Sequence, residues 1–272
     1  MSGGPWEAAP EPRVAVPRTA MVLAAGLGTR LRPLTDTCPK PLIEVGDRTL
    51  LDRTIDRLAE AGVTRFVINL HHLADQLESH VRRRAAAETG LEFLLSDERD
   101  RLLDTGGGIL QALPLLGDAP FLATNADMLW LDANGNSLQA MAACWAIIAG
   151  AAGEGEGPEA LLLLHPTVSA RGYTGMGDFT MDGDGRLTRR EERVVAPFLY
   201  TGVQMLAPRL FADCAPGPFS LNRLYDRAIE RGSLYGLRHE GAWVDAGHPD
   251  GLAAARRLAA RLDRRDTRSA AA

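Results

Sequence analysis

From residue 19 onward, short apolar runs alternate with stretches whose apolar side chains recur every three or four positions. Ala20-Met21-Val22-Leu23 is the first run and predicts a buried strand. Behind Thr49, a candidate N-cap, Leu51, Ile55 and Leu58 repeat at helical spacing until Gly62 ends the run. Residues 65–70 predict a strand, 73–88 a helix stopped near Gly90, and 91–95 a third strand. Asp104-Thr105-Gly106-Gly107-Gly108 then opens a short helix over 109–113, and 120–124 is a fourth strand running into Asn125-Ala126-Asp127. A helix over 137–148, a glycine- and glutamate-bearing loop over 150–158 and a buried strand over 160–164 follow.

Beyond residue 171 the pattern loosens. Glycine and aspartate are frequent up to 185. Strands are expected over 200–206 and 234–239, an amphipathic helix over 221–229, and an arginine-rich helix over 251–262. The order strand, helix, strand, helix, strand in the first half predicts an α/β chain with a parallel, doubly wound sheet. No internal repeat or clear linker divides it, so one domain is expected over 19–264, with halves at about 19–130 and 131–264. Residues 1–18, with prolines at 5, 10, 12 and 17, read as a disordered extension, and 265–272 as a tail.

Composition narrows the classes. Apolar residues make up 46% of 272, and charged residues 24%, which is ordinary for a globular chain with ample core. A net charge of −5 argues against a general nucleic-acid binder. Cys38, Cys144 and Cys214 are few, odd in number and without metal-like spacing, which fits thiols in a reducing compartment. No signal-peptide core and no apolar stretch near the roughly 18 residues of a membrane span is present. A cytoplasmic protein without membrane attachment is expected.

The chemistry concentrates in Ala24-Ala25-Gly26-Leu27-Gly28-Thr29-Arg30 and Pro39-Lys40-Pro41. Gly26 and Gly28 let the backbone turn so that its N–H groups can meet an anion, and Arg30 and Lys40 add two positive charges. This is a cradle suited to a triphosphate. A dinucleotide fingerprint needs a third glycine on a helix that starts at once, whereas Pro33, Pro39 and Pro41 prevent a long helix here. The P-loop string G-x-x-x-x-G-K-[ST] is absent. Lys40, between two prolines, is held in extended backbone rather than on a solvated helix face. His71 and His72 follow a strand without a third ligand at helical spacing, so no metal is expected there.

The run G-x-G-T-R-L-x-P-L-T from Gly26 to Thr35, with Pro39-Lys40-Pro41-Leu42, resembles the signature of the sugar-1-phosphate nucleotidyltransferases, or nucleotide-sugar pyrophosphorylases. The similarity continues through most of 19–262. Within that family the Asp104-to-Gly108 run, Gly177-Asp178-Phe179 and the compact length most resemble the N-acetylmuramate-1-phosphate uridylyltransferases of cell-wall sugar recycling.

The resemblance implies a Rossmann-like, mixed but mostly parallel sheet. It implies in-line attack of a sugar 1-phosphate on the α-phosphorus of a nucleoside triphosphate, releasing pyrophosphate. UTP and N-acetylmuramate 1-phosphate are the favoured substrates. Guanylyl transfer to mannose 1-phosphate and thymidylyl or uridylyl transfer to glucose 1-phosphate are the alternatives, and a non-catalytic nucleotide-sensing subunit is the alternative of another class. A sugar phosphate with a second pKa of about 6 is already largely dianionic, so no general base is required.

Asp127 and Asp245 are thereby expected to bind Mg²⁺. Arg30 is expected on the departing phosphates, and Lys40 on the α-phosphate or the sugar phosphate. Ala24, Gly26, Gly28 and Thr29 would line the nucleotide, Gly106 and Gly107 would read the base, and Asn125 would contact the nucleoside. Asp178, Thr201 and Gly202 fall where the family binds its sugar, and Trp243 either walls the sugar or packs. No nucleic acid, membrane or obligate protein partner is implied.

Three departures stand out. Many relatives carry Glu-Lys-Pro where this chain reads Arg189-Arg190-Glu191-Glu192-Arg193, so Arg193 or a neighbour is expected in place of the lysine. Ala126 replaces a glycine, and Asp104 stands for a glutamate one methylene longer.

Overall fold

The computed structural model describes residues 14–269 apart from 134, 154, 155 and 172, with side chains to residue 260. Most of the expected N-terminal extension, the end of the tail and part of the 150–158 loop lie outside the described residues. Val16, within the expected extension, is already buried in the core. The last helix runs on to Ser269, into the expected tail.

β1 (Thr19–Leu23) buries its three central residues and lies between two parallel neighbours, which is why no polar side chain interrupts them. A small ribbon, β2 (Glu44–Val45) and β3 (Arg48–Thr49), leads into α1 (Leu50–Glu60). Thr49 caps that helix, its hydroxyl accepting from the Asp52 N–H at 3.0 Å, and the predicted stripe Leu51, Ile55 and Leu58 is buried. β4 (Arg65–Leu70), α2 (Ala74–Ala87) and β5 (Glu92–Asp97) complete the first α/β units. α3 (Asp104–Leu116) and β6 (Phe121–Asn125) follow, then β7 (Met128–Asp132), α4 (Ser137–Ala151) and β8 (Ala160–Pro166). The second half adds β9 (Phe179–Met181), β10 (Leu187–Arg189), β11 (Phe198–Leu206), α5 (Asn222–Glu230), β12 (Leu234–Arg238), β13 (Gly241–Asp245) and α6 (Pro249–Ser269).

The central sheet is mixed and mostly parallel. Its path is β10-β9-β11-β6-β1-β4-β5, with β8 on β11 and β12 on β8. Traced through the pairings, seven of its nine strands run one way, and β11 and β10 run against them. α1, α2 and α4 pack on one face, α3 and α5 on the other.

Beyond the unpredicted short strands β2, β3, β9 and β10, two differences from the sequence expectation bear on the site. α3 begins at Asp104, so the three glycines form its first turns instead of preceding it. Glycine is a poor helix former, and tertiary packing overrides that preference here. β7 and β13 pair as a separate antiparallel ribbon, with Trp243 opposite Trp130 and Asp245 opposite Met128. Their runs are short and bounded by turn residues, so periodicity does not mark them as strands.

At the far end of β7, Asp132 receives Arg57 from α1 at 2.6 Å and lies 3.3 Å from the buried His239. Burial alone pushes this carboxyl up, but His239, Ser137 and the Arg57 charge bring it down to about 2. A folded pKa below the unfolded one stabilises the protein above about pH 4, and that stabilisation is lost as pH falls toward 2. Asp132→Asn is expected to lower the thermal midpoint at neutral pH and to flatten its fall across this acid window, measured by melting at a series of pH values.

Candidate active site

Loops at the carboxyl ends of β1, β4 and β6 and the start of α3 enclose a cavity of about 470 Å³. Gly28, at φ +64°, turns the chain after β1 into a one-turn 3₁₀ segment, Thr29–Leu31, that carries Arg30. Thr35 donates its hydroxyl to the Gly28 carbonyl at 2.9 Å, and His72 contacts the Thr35 carbonyl at 2.8 Å, so the turn is held from below. Lys40 opens a second 3₁₀ turn, Lys40–Leu42, instead of the extended backbone expected between Pro39 and Pro41, and its ammonium enters the cavity 2.5 Å from Asp127 Oδ2.

Asp127 lies in the tight turn between β6 and β7, and Asp245 ends β13. The Ala246 N–H donates to the Asp127 carbonyl at 3.0 Å, which locks the two segments together. The aspartates meet because β13 pairs with β7; Asp245 does not come from a strand of the main sheet. Arg30 Nη1 lies 3.6 Å from Asp245 Oδ2. A Cβ built on Gly247 would stand 2.8 Å from each of Arg30 Nη2, Asp127 Oδ2 and Asp245 Oδ1. Three charged groups therefore point at one small space that any side chain at 247 would fill.

Two carboxylates beside open space suit a divalent cation that keeps several waters and shares phosphate ligands. Among the described residues no third His, Cys, Asp or Glu joins them, which excludes a closed all-protein cage there. The chemistry of the donor set fits Mg²⁺.

The other expected residues divide. Ala24, Gly26 and Asn125 line the cavity, and Gly202 packs against Asn125 and Met128 at its floor. Thr29 is exposed and is not part of the lining.

Gly106 and Gly107 are displaced from the expected role. Their N–H groups already donate to the Phe219 carbonyl at 2.9 and 3.1 Å, and Cβ atoms there would collide with Phe219 and Gly217. Asp104 and Thr105, two residues earlier, line the cavity instead. Thr201 is fully buried and donates its hydroxyl to the Leu163 carbonyl at 2.7 Å. Trp243 is 2% exposed and donates to the Thr201 carbonyl at 2.9 Å, so it packs and does not wall the cavity. Asp178 accepts from the Tyr200 N–H at 2.8 Å and splices β9 to β11. In the arginine run, Arg189 pairs with Asp226 at 2.7 Å and Arg190 donates to two carbonyls of its own loop. Arg193, 91% exposed and at φ +65°, has Glu192 at 4.0 Å as its ion-pair partner among the described residues.

Sequence reasoning passed over Asn69 and gave Gly247 no role. Asn69 is a polar residue inside the otherwise apolar run of β4, and it lines the cavity while 2% exposed. A buried polar residue in a central strand is itself a signal, because it needs partners.

Comparison with known proteins gives the family and the fold. A family model described as "Nucleotidyl transferase" matches residues 19–192. An N-acetylmuramate alpha-1-phosphate uridylyltransferase of Caulobacter vibrioides is 41% identical over 244 residues, 89% of this chain and 98% of that protein. One of Neisseria meningitidis serogroup B is 34% identical over 229 residues, 84% and 92% respectively. Among solved structures, a putative glucose-1-phosphate thymidylyltransferase from Bacillus anthracis superposes with a TM-score of 0.72 at 18% identity, over 89% of this chain and 94% of that one. A UDP-glucose pyrophosphorylase complexed with UDP-glucose gives 0.69 at 18% identity, over 90% and 99%. At that identity the solved structures speak for the fold alone.

The glycine packing can be checked directly. Gly107→Ala places a methyl 2.2 Å from the Gly217 carbonyl oxygen and is expected to cost about 1–3 kcal/mol, read as a lowered thermal midpoint.

Proposed function

The chain belongs to the nucleotidyl transferase family, and on that premise we propose that it joins UTP to N-acetylmuramate α-1-phosphate, releasing pyrophosphate. That it is a sugar-1-phosphate nucleotidyltransferase follows from the family and from relatives matched over nearly their whole length. The choice of UTP and of the muramate sugar is supported by the names of the relatives at 41% and 34% identity. The observation that carries the reaction is that Arg30, Lys40 and Asp127 line one cavity, with Asp245 brought against Arg30 and Asp127 around Gly247.

The difficulty of the reaction is bringing two polyanions together, and the residues address it by charge and placement. Arg30, at the mouth, offers a planar fork to the departing phosphates. Lys40, deeper and held by its prolines, offers a point charge to the α-phosphate, and an entering phosphate competes with Asp127 for it. Asp127 and Asp245 would hold Mg²⁺, which when bound neutralises charge on phosphate oxygens. The attacking phosphate is already ionised, so no side chain needs to remove a proton. Gly26 and Asn125 line the nucleotide, joined by Asp104 and Thr105 in the place expected of Gly106 and Gly107. Gly202 borders the sugar side, with Thr201 and Trp243 supporting it from within the core. Arg193 is the arginine of its run most free to reach a sugar phosphate.

Pyrophosphate release over a panel of UTP, GTP, dTTP and ATP against muramate, glucose, mannose and N-acetylglucosamine 1-phosphates tests the assignment. Turnover is expected to be highest with UTP and the muramate sugar. Preference for GTP with mannose 1-phosphate, or dTTP with glucose 1-phosphate, would replace that assignment, and no turnover with any pair would sink the enzymatic reading.

Gly247→Ala should lower kcat/KM by about 100-fold or more, because a methyl intrudes among the three charged groups. Its thermal midpoint should change little, as Arg30 is largely exposed.

A further inference from the structure

Behind the cavity lies a buried chain of hydrogen bonds that the reaction does not use directly. The Ala24 N–H donates to Asn69 Oδ1 at 2.7 Å. Asn69 Nδ2 donates to Glu98 Oε1 at 2.7 Å, and Glu98 Oε2 accepts from the Leu103 N–H at 3.0 Å. Asn69 and Glu98 are each 2% exposed. The backbone of Glu98 is pinned as well, its N–H donating to the Leu70 carbonyl at 2.8 Å and its carbonyl contacting His71 at 2.7 Å. Gly108 leaves room for the carboxylate, since a Cβ there would stand 2.7 Å from Glu98 Oε1.

An ionisable side chain buried this deeply is costly unless its hydrogen bonds are made. Burial pushes the Glu98 carboxyl up, against the pull of its Asn69 and Leu103 bonds. The linkage has consequences for two parts of the site at once. Ala24 belongs to the phosphate loop, and Leu103 immediately precedes Asp104 and Thr105, which line the opposite wall. Ala24 lines the cavity as expected of it, and its N–H is taken by Asn69.

We propose that Asn69 and Glu98 are positioning residues for the nucleotide, fixing the spacing between the phosphate loop and the first turn of α3. The inference rests on the nucleotidyl-transfer reading. Neither side chain needs to touch the reacting atoms. Their task is to hold the Ala24 loop and the Asp104–Thr105 wall at one separation before the nucleotide arrives, so that binding does not have to order them.

The donor and acceptor sequence makes this testable. In N69D two carboxylates face one another without a shared proton donor. In E98Q a single acceptor oxygen must serve two donors, and any amide flip moves the mismatch to Ala24 or Leu103. The swapped double variant N69D/E98Q restores all three bonds at unchanged net charge. The carboxylate at 69 accepts from Ala24 and from the amide at 98, whose oxygen accepts from Leu103.

UTP, GTP and dTTP are titrated calorimetrically into the wild type, both single variants and the double variant, without sugar phosphate. Melting and steady-state kinetics are measured in parallel. Each single variant should weaken binding of the nucleotide that the wild type prefers by about tenfold or more, with KM rising more than kcat falls. The double variant should return to within about threefold of the wild type. Single variants that melt earlier but bind nucleotide normally would show a merely structural pair and overturn the proposal. A double variant that fails to fold, or binds no better than the weaker single, would overturn it too. A wild type that binds none of the three nucleotides would bring down the functional reading and this proposal together, an outcome distinct from the others.

Discussion

β7 and β13 are short, lie outside the main sheet, and pair over five residues each. The meeting of the two site aspartates depends on that pairing. Asp127 sits where β6 turns into β7, while Asp245 arrives from the far end of the chain, and only the ribbon sets them side by side. Its central pair, Trp130 and Trp243, is buried, and Trp243 ties the ribbon to β11 through the Thr201 carbonyl. Burial of two large aromatic side chains, rather than attraction between carboxylates, supplies the free energy that brings the carboxylates together. Left to themselves, two like charges at that separation repel.

That repulsion is offset locally. Lys40 lies on Asp127 and Arg30 near Asp245, so the site holds two anions against two cations. Asp127 is the more buried carboxylate, and its side chain is 7% exposed beside a lysine at 18%. Removing one member of a buried pair leaves the other uncompensated, typically at about 3–5 kcal/mol, so Lys40 also contributes to the stability of the site. The exposed Arg30 pair, in higher dielectric, contributes little to stability and remains free to follow a ligand.

Much of this was legible in the sequence because local rules governed it. The strand at 65–70, the Thr49 cap with its apolar stripe, and the fold class follow from periodicity and capping, which need no tertiary information. The Gly26–Arg30 and Lys40 segments were legible because glycine and proline constrain backbone wherever they occur. What failed depended on partners distant in the chain. Gly106 and Gly107 resembled a loop that reads a base until Phe219, more than a hundred residues away, took their N–H groups. Thr201 fell beside the expected sugar site in sequence but faces the core, because a residue's side of a strand depends on register with its neighbours. Register also decides between the two roles left open for Trp243, which packs. Asn69 and Glu98 were overlooked although each is polar in a buried setting. One residue pattern alone does not tell which buried polar groups find each other.

The distribution of rigidity then follows the chemistry. The back of the cavity rests on Asn69 and Glu98, buried groups with fixed hydrogen bonds, and Thr201 is fixed in the same way beside Gly202. The front carries Arg30, whose side chain is 61% exposed. A nucleoside is the same object before and after transfer, so a preorganised wall loses nothing by being rigid. In the reaction proposed above, a departing pyrophosphate is held while the bond breaks and then released, and an exposed arginine can move with it at little cost. Rigid recognition behind and mobile charge in front is the division that a transfer between two polyanions favours.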